Sequence, residues 1–194
     1  MTSRLIVNSI RHTGASSDAI TLDSAGKCSF PNGGAGKILQ IVSSVKSNTA
    51  SASVSRSSDW VSHGLSVSIT PSSASNKILI SGHLMVSEVA GESAGISVVL
   101  YKAGSILTAS IGDAGSGQRR VTAGTSSALD HAVTPLVFQY LDTAGGTSSI
   151  TYQPALNNHH STSQQMYLNR TYGDTADASY VRATSVITAM EIAA

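Results

Sequence analysis

From Lys37 to the C-terminus the apolar residues recur every second position, and this period most constrains what the chain can fold into. Leu65, Val67 and Ile69 alternate strictly with Ser66 and Ser68 until Pro71 stops them. Such alternation is a strand with one dry face. Over Lys77–Glu88, Ile78, Ile80, Leu84 and Val86 share one face, against Leu79, His83 and Met85 on the other. Ile96, Val98 and Leu100 are in phase, as are Leu136, Phe138 and Tyr140, and then Val186, Met190 and Ile192. No segment carries a sustained apolar stripe at helical spacing. Polar turn-formers separate the runs at Ser72–Asn76, Ala103–Ser105, Gly112–Gly117 and Asp142–Gly146. Roughly nine to eleven strands spaced this way predict an all-β chain, an antiparallel β-sandwich of jelly-roll-like double sheets. Leu65–Ile69 and Lys77–Glu88 read as the two arms of a hairpin, and Arg119–Ala123 reads as a short strand. Pro135 cannot donate to a ladder, so its strand belongs at an edge or at a bulge. The apolar run Ala183–Ile192 belongs at the centre of a sheet.

The first residues behave differently. Leu5, Ile6 and Val7 with Ile10, then Ile20 and Leu22, then Phe30, form apolar clusters parted by polar turns such as Asp23-Ser24-Ala25-Gly26. Clusters this small cannot bury themselves and need another chain or another body to cover them. Residues 1–36 are therefore expected to be an attachment and trimerisation arm. It ends in the Pro31–Gly36 hinge and carries a head domain over residues 37–194, the whole forming a homotrimer.

Hydrophobic residues make up 41% of the 194, charged ones only 12%. The polar surface is thus built from Ser, Thr, Asn, Gln and Gly, as in extracellular or virion β-structure. A formal charge of +1 argues against nucleic acid or an anionic membrane as partner. The one basic pair, Arg119-Arg120, reads as a solvated turn rather than a phosphate site. A single cysteine, Cys28, excludes an intrachain disulfide framework and any multi-cysteine zinc site within one chain. No apolar run approaches the about 18 residues of a membrane span, and the start lacks the hydrophobic stretch of a signal peptide.

Motifs of catalytic type fail on context. Gly91-Glu92-Ser93-Ala94-Gly95 matches the nucleophile-elbow pattern, but a strand follows where the elbow requires a helix. The acidic residues form no short-range pair of the kind a glycosidase uses, and neither a cofactor nor a metal is expected. His159-His160 reads as an exposed pair on the loop 157–164, although three copies near a threefold axis would form a ring of ligands. His83 reads as a hydrogen-bonded structural histidine. Asn169-Arg170-Thr171 is a formal glycosylation sequon, relevant only on a eukaryotic secretory route. Recognition is expected on loops, with Trp60, His63, His159, His160, Tyr172 and Asp174 as candidate residues, above all on two of them. The first, around Trp60 and His63, holds the single tryptophan; the second carries Tyr172 and Asp174. Aromatic rings beside polar groups are what a shallow sugar site uses, while a plug at the end of the sandwich is the plainer role for Trp60.

Leu5-Ile6-Val7-Asn8-Ser9-Ile10-Arg11-His12, Ala15 to Asp23 and Phe30-Pro31 resemble the N-terminal segment of tail fibre or related structural proteins of tailed phages, notably those of cyanobacteria and other marine bacteria. Gly36-Lys37-Ile38-Leu39-Gln40, Leu65 to Pro71, Ser75 to Ile80, Gln139-Tyr140-Leu141-Asp142 and Val186 to Glu191 carry the similarity over nearly the whole chain. The resemblance implies a non-enzymatic virion protein, homotrimeric, docked to tail or baseplate proteins by its N-terminal segment and turned toward a host glycan or protein. Its motifs are structural and supply no binding residues. A capsid decoration, cement or fibre-adaptor role is the alternative; a polysaccharide-degrading spike is opposed by the small size and the dispersed carboxylates.

Overall fold

The structure, a computed structural model, describes residues 7–26, 28–29, 38–57, 59–88, 95–126 and 132–194. One compact unit holds Met1–Lys37 and another Ile38–Ala193. The nucleophile-elbow motif up to Ala94 and the arm residues Leu5, Ile6 and Phe30 lie outside the described residues.

In the first unit β1 (Ser9–Ile10), β2 (Ile20–Leu22) and β3 (Cys28–Ser29) form a three-stranded antiparallel sheet. The predicted turn at Asp23–Gly26 is present: Gly26 donates to the Asp23 carbonyl at 2.9 Å and has φ 78°. Ile10 and Leu22 are exposed, while Val7 and Ile20 are half-buried.

The second unit is the β-sandwich. Its strands are β4 (Ile38–Lys46), β5 (Ala50–Val54), β6 (Val67–Ile69), β7 (Lys77–Glu88), β8 (Ile96–Lys102), β9 (Ser105–Ile106), β10 (Ala123–Thr125), β11 (Thr134–Thr143), β12 (Ile150–Asn158), β13 (Gln164–Leu168) and β14 (Ser185–Ile192), with one 3-10 turn at Thr108–Ser110. β11 occupies one edge of β7 over its length; β14 takes the other edge along Lys77–His83, and β13 takes it along Val86–Glu88. β13 and β14 therefore share one lane. β4, paired with β14, and β5, paired with β13, share the next. β9 and β10 likewise share the free edge of β8. Counting lanes in chain order, one sheet runs 1-8-3-6 and the other 2-7-4-5, the double Greek key of a jelly roll. The fold class read from the period is borne out.

Two readings change. β6 pairs with β12 in the opposite sheet, Ile69 against Ile150, so residues 70–76 arch between sheets and do not close a hairpin with β7. Alternation shows which residues are inward but not which strand lies alongside. The arch is held from the far end of the chain. Glu191 Oε1 accepts from the Ser72 N–H at 2.7 Å, Ser72 Oγ at 2.8 Å and Asn76 Nδ2 at 2.6 Å, and Oε2 accepts from Gln40 Nε2 at 2.6 Å. Second, the expected strand at Arg119–Ala123 begins only at Ala123; Arg119 and Arg120 precede it in a loop. Pro135 does lie on an edge strand and β14 is central, as expected.

The core is the inner face of both sheets: Ile78, Ile80, Leu84, Leu136, Phe138 and Ile187 from one, Ile96, Val98, Leu100, Tyr152 and Leu156 from the other. Burying each such side chain stabilises by about 1.5–3 kcal/mol. Gly82 lies where the Phe138 ring crosses: a Cβ there would collide with the Val186 carbonyl oxygen and meet Phe138 Cζ at 2.8 Å. At one edge Tyr152 donates from its hydroxyl to Asp142 Oδ2 at 2.7 Å, and Lys102 Nζ closes on the same oxygen at 2.6 Å. These bonds join the two sheets.

The outer face of the first sheet is apolar in rows. Ile41, Met190, Leu79 and Leu141 stand side by side across four strands, as do Val45, Val186, His83 and Val137, with Ser43, Thr188, Ser81 and Gln139 between them. The in-phase residues Val186, Met190 and Ile192 thus face outward, while Ile187, Ala189 and Glu191 face the core. Ile41 is 56% exposed, Val45 63%, Val137 64% and Leu141 50%.

Candidate functional site

Ahead of β6 the chain already runs beside β12: Val61 and Leu156 exchange both backbone hydrogen bonds, at 2.8 and 2.9 Å. Asn157 Nδ2 donates to the Asp59 carbonyl at 3.4 Å. This pairing fixes Trp60 at the sheet edge. The Arg119 guanidinium stacks over its ring, 5.2 Å from the centroid. Arg119 Nη1 also donates to Asn157 Oδ1 at 2.6 Å and to the Asn158 carbonyl at 3.2 Å. The face of a tryptophan and two acceptors thus hold one cation in a set position. Arg119 lies on an exposed loop, as expected, but its guanidinium is held by these partners.

Asn157 and Asn158, expected in the loop 157–164, are fully buried at the end of β12. Asn158 donates to the carbonyls of Val54 and Gln164 and accepts from the His160 N–H at 3.0 Å. His160 in turn accepts the Arg56 N–H on its carbonyl at 2.7 Å. His159 is anchored by its own N–H on the Gly95 carbonyl at 3.1 Å, and its Nε2 shares a short hydrogen bond with Ser97 Oγ. Arg56, Ser97, Gln118, Arg119, Val121 and His159 then line a cleft of about 580 Å³. Burial, and then the charge of Arg119, push the His159 pKa below its ordinary value, so the ring is neutral at pH 7. Burial and the charge of Arg56 lower that of Arg119. Among the described residues neither Arg56 nor Arg119 is paired with a carboxylate.

The six expected recognition residues do not form one site. Trp60 and His159 meet at the cleft through Arg119. His160 contributes its backbone and does not line the cleft. His63 sits near Lys46 with both ring nitrogens buried. Burial, partly offset by the Val61 backbone, and then the charge of Lys46 hold its pKa below the usual histidine value. Tyr172 and Asp174 belong to the excursion 169–184 between β13 and β14. Tyr172 packs on Tyr167 at 6.0 Å, and Arg170 covers the same Tyr167 ring at 4.3 Å. Asp174 is bound by Arg170 at 2.6 Å and Arg182 at 2.5 Å. Burial would raise its pKa, but those two arginines outweigh it and lower it. A carboxylate held by two guanidinium groups is a structural clamp on the excursion and has little left for sugar hydroxyls.

Arg56, Ser97 and Gln118 were not visible as site residues in the sequence. The signal that pointed there was the basic pair at 119–120 in a chain with so few charges. Among the described residues no group of three or more His, Cys, Asp or Glu is placed to hold a metal ion.

No protein-family model matches the chain and no curated protein sequence is similar to it. Among solved structures it is similar to that of the Gx strain of infectious bursal disease virus, with TM-score 0.37 and 13% identity over 96% of this chain and 43% of that one. The VP2 subviral particle of infectious bursal disease virus overlaps with TM-score 0.33 and 13% identity, covering 79% of this chain and 41% of that one. The chain thus spans less than half the length of either. Overlaps this partial carry no functional argument, and the jelly-roll assignment rests on the strand order alone.

Proposed function

We propose that this chain is a non-enzymatic virion protein of a tailed phage, a short tail fibre or receptor-binding protein that assembles as a homotrimer. Its N-terminal arm attaches to the particle and its jelly roll faces the host surface. The observation that carries the reading is the outer face of the first sheet. Two rows spanning four strands, apolar but for His83 and ending in side chains half or more exposed, make a surface that monomeric proteins rarely leave wet. Identical copies packed on that face cover it, and three copies multiply weak contacts to a repetitive host surface. The exposed Ile10 and Leu22 of the arm add apolar surface for a particle protein or a sister chain. The sequence resemblance to tail fibre proteins supplies the particle.

Light scattering on the purified full chain tests the assembly, with a trimer expected. Antibody labelling of virions and an adsorption-blocking assay test the location and role, with tail labelling and blocked adsorption expected. A stable monomer that binds no host cell overturns the reading. Labelling on the head without blocked adsorption replaces it with a decoration or cement role.

A further inference from the structure

We propose that the cleft between Arg56, Arg119 and His159 is an anion-selective saccharide site, taking a sugar that carries a carboxylate or sulfate group. Three observations converge on it. First, the described lining of the cleft is cationic. Two guanidinium groups line it, and among the described residues no carboxylate is paired with either. Like charges gathered in one concavity repel each other until an anion enters. Second, Arg119 is pre-organised. Trp60 stacks on its face, and Asn157 Oδ1 and the Asn158 carbonyl take the two Nη1 donors, leaving the Nε and Nη2 donors of a five-donor fork. That remaining edge matches a two-oxygen anion, and little side-chain entropy is left to lose when one binds. Third, the rest of the described lining is neutral. Gln118 supplies an amide partner suited to sugar hydroxyls, the uncharged His159 is held against the buried Ser97 hydroxyl, and Val121 supplies one apolar wall. A cleft of about 580 Å³ falls in the range of small-ligand sites.

The Trp60 face used by Arg119 is not open to a pyranose, so recognition here is by charge and hydrogen bonds more than by stacking. That the saccharide belongs to a host surface rests on the receptor-binding reading above; the anion site itself does not.

Titrating the full-length protein with D-glucuronate, methyl glucoside and inorganic sulfate, followed by calorimetry or NMR shifts, tests the site. Glucuronate is expected to bind saturably and to weaken as salt rises, with methyl glucoside binding at least tenfold more weakly. Glucuronate affinity should fall at least tenfold in Arg119→Gln. The same loss is expected in Arg56→Gln, where the hydrogen bond of Arg56 to His160 is through the backbone and survives, so that variant keeps the test open if Arg119→Gln does not fold. Equal affinity for sulfate and glucuronate overturns the saccharide assignment. No saturable anion binding, or binding unchanged in a folded Arg56→Gln, overturns the site. Host-cell binding that persists in both variants removes the cleft from recognition but leaves the receptor-binding reading standing. Glucuronate binding by a protein that neither binds cells nor blocks adsorption keeps the site and sinks the reading.

Discussion

Asn169 shows how much one polar residue organises here. β7 changes partner from β14 to β13 near Met85, which leaves the Met85 backbone outside both ladders. Asn169 donates its N–H to the Met85 carbonyl at 2.8 Å, and the Met85 N–H donates to Ser185 Oγ at 3.0 Å. Ser185 Oγ donates to Asn169 Oδ1 at 2.6 Å, while Asn169 Nδ2 reaches the carbonyls of Lys46 and Asn48 at 2.8 and 3.1 Å. The residue is fully buried with φ 61°, a left-handed conformation asparagine tolerates. The sequon is therefore closed to a glycan in the folded chain. Asn169→Ala strands several buried groups, and chemical denaturation should show a loss of about 2–4 kcal/mol. Glu191 has the same standing in the arch 70–76. Burial would raise its pKa, but the bonds from Asn76, Gln40 and Ser72 hold it at about 2. A carboxylate depressed in the folded state stabilises fully above its ordinary value near 4.5, and that stability is lost as pH falls toward about 2. His63 and His159 resist protonation when folded, so they add a destabilisation that begins as pH drops below about 6.5. Melting temperature should fall monotonically on acidification. Glu191→Gln should lower the melting temperature at pH 7 and flatten the part of the profile below pH 4.5.

At the scale of elements, close packing of the two sheets depends on Gly82. Its inward Cβ position is already filled by Phe138 and the Val186 carbonyl oxygen, so Gly82→Ala should destabilise by about 2 kcal/mol or more; Phe138→Leu in the same chain should restore part of the loss. The alternating runs made the strands of the head legible, and Pro135 made the edge position of β11 legible. The hairpin misreading of β6 and β7 has a definite cause. A five-residue turn signal looks the same whether it closes a hairpin or carries the chain across to the other sheet. What distinguishes the two is the buried anchor, and Glu191 is more than a hundred residues away in sequence. The cleft was hidden from the sequence for the same reason: Trp60 and Arg119 meet only because β12 brings Asp59–Val61 and Asn157–Asn158 together.

For the whole molecule, the apolar rows carry the assembly prediction. Val137→Lys with Leu141→Lys changes two exposed side chains on an edge strand. It should leave the melting temperature of the head within a few degrees while light scattering reports smaller particles; an unchanged trimer would remove that face from the interface. Deleting residues 1–33 should leave a folded β-domain by circular dichroism that no longer co-sediments with particles, and retained attachment would take that role from the arm. By itself the sequence determined that the chain is a β-sandwich. A period of two is a local property, written residue by residue by where Cβ points. Only the tertiary structure decided which strands are neighbours, which apolar face is core and which is left outward, and that Arg56, Arg119 and His159 share one cleft. Those outcomes depend on register and sheet assignment between segments far apart in the chain, to which a local period is blind.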